Sequence, residues 1–197
     1  MGGAAFIFAS LAEPGVARHD GGPGRLVFGE LDGRRSERAE RLLAACLAAG
    51  IPAELSSDIR TQLWSKYAFI LAQAGMTAAV RLPIGEIRRA PAAWEMFGRI
   101  LEEVRQVGLA EGVDLADDLV ARHLAFAQGL EPGGYSSLHH DLVTGHRMEL
   151  EALHGELLRR AERHGIETPA SRAVFAILQP WALRAEAEAE VEGRVVT

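Results

Sequence analysis

The sequence predicts a mainly helical protein, an all-helical domain preceded by a small β-β-α-β piece, and three observations carry that expectation. The first 55 residues hold short apolar runs bounded by Gly and Pro, which read as strands. From Ser57 onward, apolar residues recur at spacings of three and four. Residues that start and stop helices stand at the ends of those periodic stretches. The expected boundary therefore falls between residues 1–55 and 56–197.

The elements follow in order. AAFIFASL, residues 4–11, and RLVFGEL, residues 25–31, read as buried strands, with a Pro-Gly turn at Pro14-Gly15 after the first and RHDGGPG as a loop between them. Ser36 can cap a helix running to Ala49, with Gly50 just past its end. IPAEL, residues 51–55, is a third strand. This piece is too small for a self-sufficient sheet and reads as the end of something larger. Asp58 or Ser57 can cap the next helix, whose apolar positions are Leu63, Tyr67, Ile70, Leu71 and Ala74. Arg81-Leu82-Pro83 breaks it, and IGEIRR forms a single turn. Pro91 opens a helix that Gly112 closes. Another amphipathic helix begins at Asp114. A long helix is expected from Ser137 to His164, with Gly145 inside it, and a last one from Ala170 to about Glu190, its AEAEAEVE end solvated.

Composition removes several classes. Apolar content of 48% and charged content of 24% suit an ordinary globular protein. A net charge of −6 argues against a nucleic-acid surface, and the arginines are interleaved with glutamates as solvated helix faces. One cysteine, Cys46 in LLAACLAAG, reads as a core residue and excludes a disulfide framework. No apolar run reaches the ~20 residues of a membrane span. The start lacks the basic region of a signal peptide, so the cytoplasm is the expected compartment.

Chemistry is concentrated in two stretches. Lys66 is the only lysine, against twenty arginines. A desolvated ammonium can release a proton where a guanidinium cannot, so Lys66 is a candidate proton donor; the plain alternative is a lysine with its stem laid along an apolar face. The second stretch is YSSLHHDLVTGHRMELEALHGE. One of Ser136 and Ser137 can be a simple helix cap, and Glu149 is either solvated or a paired group in a cleft. His139, His140, His146, His154 and His164 lack the i, i+4 spacing of helix-borne zinc pairs and read better as solvated or capping residues. No G-x-G-x-x-G or G-x-x-x-x-G-K-[ST] loop occurs.

Taken together, Trp64-Ser65-Lys66, Pro83–Glu86 as P-x-G-E, S-S-x-x-x-D at Ser136–Asp141, G-x-x-x-E at Gly145–Glu149 and H-G-I-x-T-P at His164–Pro169 resemble the ketopantoate reductase (2-dehydropantoate 2-reductase) family. The resemblance covers nearly the whole chain. It implies a helical domain of the 6-phosphogluconate-dehydrogenase C-terminal type, preceded by the last part of a Rossmann-type nucleotide domain. It also implies an NADP cofactor and hydride transfer from NADPH to the C2 carbonyl of a small 2-oxo acid, with Lys66 as proton donor, Ser137 bonding the substrate and Glu149 meeting the cofactor. A homodimer is expected, with no nucleic-acid or membrane partner. The glycine-rich strand-turn-helix of the family's nucleotide domain is not in this sequence, so the chain alone is expected to be inactive. The bare strand edges are expected to pair with a second copy or be covered by helix.

The sequence contains no asparagine, and the family's asparagines are replaced by Ile70, Ala74 and Ile84. That replacement disfavours ketopantoate and favours a more apolar 2-oxo acid, with Gln73 as the nearby amide and Ile70 and Ile84 lining the site. A non-catalytic helical module for dimerisation or ligand binding is the competing expectation.

Overall fold

The structure, a computed structural model, describes residues 1–195. It divides into two compact units, Met1–Lys66 and Tyr67–Thr197. The strand-then-helix order expected from the sequence is the order observed. No helix among the described residues is long and apolar enough to cross a membrane.

The first unit holds β1 (Gly2–Glu13), β2 (Val16–Gly29), α1 (Glu37–Ala48) and β3 (Ala53–Leu55). β1 and β2 form an antiparallel hairpin, and β3 adds in parallel to β2, with Leu26 facing Ala53. Gly15 makes the turn at φ 82°, as its place after Pro14 requires. Ser36 accepts from the Ala39 N–H at 3.3 Å and so caps α1. Phe28, Ala39 and Cys46 form the core, packed against Leu42, Leu43 and Leu55.

Two details differ from the sequence reading. RHDGGPG is part of β2 rather than a loop, because its glycines at positive φ are absorbed as irregularities in the β1–β2 register. The strands are also longer than expected and buried only at one end. Val27 and Phe28, where β3 pairs, are covered, whereas Ile7, Leu11 and Val16 near the turn are exposed.

Glu30, just past β2, has no counterpart in the sequence reading. It is 3% exposed and accepts from Ser36 Oγ at 2.5 Å and from Arg38 Nε and Nη2 at 2.7 and 2.6 Å. The Arg38 fork holds its carboxyl well below the usual carboxylate range.

α2 (Ile59–Val80) begins in the first unit and carries the chain into the second. Of its two candidate caps, Asp58 does the work: its Oδ1 accepts from the Thr61 N–H at 3.1 Å. Ala68, Leu71, Ala72, Ala74, Met76 and Ala78 are all buried, so this stretch is enclosed on every side rather than on one stripe. Gly75 permits that enclosure. A Cβ there would collide with the His154 imidazole and stand 2.8 Å from Val174 Cγ1.

The second unit continues with α3 (Ile84–Arg89), α4 (Pro91–Ala110), α5 (Leu119–Gln128), α6 (Ser137–Thr144), a π-turn at Glu151–Gly155, α7 (Glu156–Arg163) and α8 (Pro169–Val195). The side chains of AEAEAEVE from residue 190 on lie outside the described residues. Helix α5 starts at Leu119, not Asp114; Val113 and Leu115 are buried from a turn instead. Arg88 Nη1 donates to the carbonyls of Ala127, Gln128 and Leu130 and closes the C-terminal end of α5.

The long helix expected from Ser137 to His164 is not continuous. Gly145 stands at φ 72° and donates its N–H to the Asp141 carbonyl, as does His146 at 2.9 Å. It is therefore a left-handed helix stop, not an interior glycine. Apolar residues at helical spacing on both sides disguised the break.

Candidate active site

In the first unit, Lys66 lies half-buried on α2, and its Nζ donates to the Ala5 carbonyl of β1 at 2.6 Å. The ammonium also stands 5.3 Å from the centroid of the Phe6 ring. Burial draws it below the ordinary lysine range. With one of three N–H donors engaged, the group retains protons to give. A depressed ammonium is what general-acid chemistry near neutral pH requires.

In the second unit, α2 meets the start of α6. Ser136, not Ser137, is the cap: its Oγ accepts from the His139 N–H at 3.1 Å. The Ser136 Oγ also lies 2.7 Å from Thr77 Oγ1, and Thr77 in turn donates to the Gln73 carbonyl at 2.7 Å. A hydroxyl has one proton to give, so Ser136 is the donor between the two hydroxyls. The loop ahead of α6 is held a second time by α3, through Ile84 N–H to Gly134 O at 3.0 Å and Gly85 N–H to Pro132 O at 2.9 Å.

The other candidates of the second unit lie on α2, α3 and α6, or between α6 and the π-turn. Ser137 is the first residue of α6 and is exposed. Gln73 is half-buried, and its Oε1 is buried without a hydrogen-bond partner. Ile70 is half-buried, whereas Ile84 is fully buried, its Cγ2 3.8 Å from where a Cβ on Gly134 would stand. Glu149 lies beyond the Gly145 stop and is exposed; its backbone carbonyl accepts from Leu153 N–H at 3.0 Å. His139 stacks on Tyr135 with centroids 4.1 Å apart, and burial, then His140 and Arg81, lower its pKa.

Two polar groups of the second unit, Thr77 and Glu103, carry no mark in the sequence, and a third, His154, is not the solvated or capping residue expected of it. Thr77 is 0% exposed and reads as one more small residue in an apolar helix. His154 is 0% exposed with both ring nitrogens unpartnered, and burial pushes its pKa down to about 4. Glu103 is buried among the residues of α4, where an acid at helical spacing looks solvated.

Similar proteins identify the family. The model of the ketopantoate reductase PanE/ApbA C-terminal region matches residues 58–182. The 2-dehydropantoate 2-reductase of Caulobacter vibrioides is 40% identical over 141 residues, 71% of this chain and 48% of that protein. The uncharacterized oxidoreductase YkpB of Bacillus subtilis is 33% identical over 181 residues, 91% of this chain and 59% of that protein. A crystal structure of a PanE/ApbA family ketopantoate reductase from Ralstonia eutropha superimposes with a TM-score of 0.84 at 30% identity, covering 93% of this chain and 59% of that one. The chain thus spans about half to three fifths of the length of the relatives it matches. With a family match across residues 58–182, the chain belongs to the ketopantoate reductase family.

Proposed function

We propose that this chain is the substrate- and proton-donor-bearing part of an NADPH-dependent reductase of small 2-oxo acids. The observation that carries it is Lys66, the sole lysine of the chain, half-buried and depressed by burial within the family's W-x-K pattern. NADPH, when bound, supplies a hydride to the C2 carbonyl carbon. Lys66 Nζ gives its proton to the oxygen that gains charge as the carbonyl bond opens, leaving a 2-hydroxy acid and a neutral amine. An arginine at this position cannot complete that step.

The remaining residues take supporting parts. The exposed Glu149 carboxylate has the acceptor chemistry to receive hydroxyl or amide donors of a dinucleotide, whereas a pyrophosphate would need a glycine-rich turn that this sequence does not contain. Ser137 offers a hydroxyl to the substrate at the start of α6. Gln73 offers an amide whose Oε1 is an acceptor still without a donor. Ile70, Ala74 and Ile84 replace the family's asparagines; Ala74 and Ile84 are buried, so half-buried Ile70 is the alkyl group left to meet a substrate, and a branched aliphatic 2-oxo acid fits better than ketopantoate.

Calorimetric titration of the chain tests this. Because the turn that would hold the pyrophosphate is not in this sequence, NADPH is expected to bind weakly at most, and any binding to be weakened further by Glu149→Gln. 3-Methyl-2-oxobutanoate is expected to bind more tightly than ketopantoate. No binding of either acid up to millimolar concentration would favour a non-catalytic helical module.

A further inference from the structure

We infer that Thr77 is a positioning residue for this site, tying α2 to the start of α6 and so fixing where Ser137 stands. The inference rests on the 2-oxo acid reading above and adds to it a residue that touches no substrate. Three observations carry it.

First, the Thr77 hydroxyl does not need Ser136 for its own satisfaction. It is 0% exposed and already donates to the Gln73 carbonyl one turn back, the usual local partner of a helical threonine. The bond at 2.7 Å serves Ser136, which gives its proton to Thr77 while its lone pair caps α6 through the His139 N–H. One buried hydroxyl thus connects the backbone beside Gln73 to the residue before Ser137.

Second, the segment that delivers Ser136 has little stiffness of its own. It runs through Pro132-Gly133-Gly134, and a Cβ at Gly133 would meet nothing within 4 Å. Such a segment places a helix start accurately only where it is tied. Its ties include the two backbone bonds to α3, the stacking of Tyr135 on His139 and the Thr77–Ser136 bond. The last of these is the one adjacent to Ser137.

Third, the junction is largely closed to water. Thr77, Ile84 and Leu138 are buried and Ser136 is half-buried, so solvent only partly replaces the acceptor when Thr77 is replaced. Valine keeps the shape of threonine and removes both the acceptor for Ser136 and the donor to the Gln73 carbonyl. Serine keeps the acceptor.

The test compares Thr77→Val, Thr77→Ser, Ser136→Ala and the Thr77→Val/Ser136→Ala pair in the full chain. Affinity is read by titration with 3-methyl-2-oxobutanoate, and the first turn of α6 by amide hydrogen exchange at residues 137–140. Thr77→Val is expected to weaken binding by about tenfold and to speed exchange, Thr77→Ser to stay within about twofold of the parent, and the pair to lose no more than the worse single variant. Faster exchange with unchanged affinity in Thr77→Val would make Thr77 a purely structural residue and overturn the inference. So would a Thr77→Val chain that matches the parent in both readouts. A parent chain that binds no 2-oxo acid overturns the 2-oxo acid reading and the positioning role with it, and the exchange data then report on the Thr77–Ser136 contact alone.

Discussion

Glu103→Ala is expected to lower the unfolding free energy by about 4 kcal/mol, read as a shift in urea midpoint at unchanged slope. Helix α8 begins at Pro169, and its first free N–H groups would be buried without partners. Glu103 reaches them from α4: its Oε1 accepts from Ala170 N–H at 2.7 Å, and its Oε2 accepts from Ser171 N–H at 2.8 Å and Ser171 Oγ at 2.6 Å. Three donors meet one carboxylate that is 7% exposed, and the positive end of the helix dipole adds to the attraction. Alanine removes the carboxylate and strands all three donors in a site that water does not reach. Glu103→Gln should fall between parent and alanine, because its amide nitrogen faces donors with a further donor. A loss below 1 kcal/mol in the alanine variant would mean that α8 is held by its apolar face alone.

Acid should weaken the fold in a window set by His154. Its pKa is lowered to about 4 in the folded chain by burial, against an ordinary value near 6.5 when unfolded. Between those values the unfolded chain binds the extra proton and the folded one does not. The contribution is therefore fully present above pH ~6.5 and is lost as the pH falls toward ~4, about 3 kcal/mol in all. His139, also lowered by burial, acts in the same direction. The carboxylates of Glu30, Glu111 and Glu156 are lowered as well, so their contributions fade only below the ordinary carboxylate range. His154→Leu separates the terms: it should flatten the stability profile between pH 4 and 6.5 relative to the parent. An unchanged slope in that window would show that His154 is protonated, or finds a hydrogen-bond partner, in solution. Both ring nitrogens lack partners, so the leucine variant forfeits no hydrogen bond at neutral pH.

How much of this was legible in the chain depends on distance along it. Caps act over three residues, so Ser36 could be read directly and the cap of α2 narrowed to Ser57 or Asp58, of which Asp58 serves. Lys66 stood out because one lysine among twenty arginines is a local, countable anomaly. The motifs around it carried the family. Thr77, by contrast, takes its meaning from a serine 59 positions away, and Glu103 from a helix start 67 positions away. Neither partner is marked by spacing, because both are ordinary residues at ordinary helical positions. His154 was visible as a histidine, but its burial follows from Gly75 on another helix. The break at Gly145 was hidden for the opposite reason: apolar periodicity continued across it, and a glycine's φ is not written in its neighbours. Glycines in RHDGGPG likewise read as a loop, although the strand absorbs them as irregularities.

The central claim is that Lys66 is the proton donor of a 2-oxo acid site, and the chain offers a clean way to ask. Because Lys66 is the only lysine, labelling lysine with carbon-13 at Cε gives one side-chain signal and no assignment problem. That signal would be followed through a pH titration, with and without 3-methyl-2-oxobutanoate. The account predicts a titration midpoint below the ordinary lysine value of ~10.4 and a shift of the signal when the acid is added. An ordinary midpoint together with no response to the acid would contradict it, and would leave Lys66 as a lysine that packs its stem on an apolar face and nothing more.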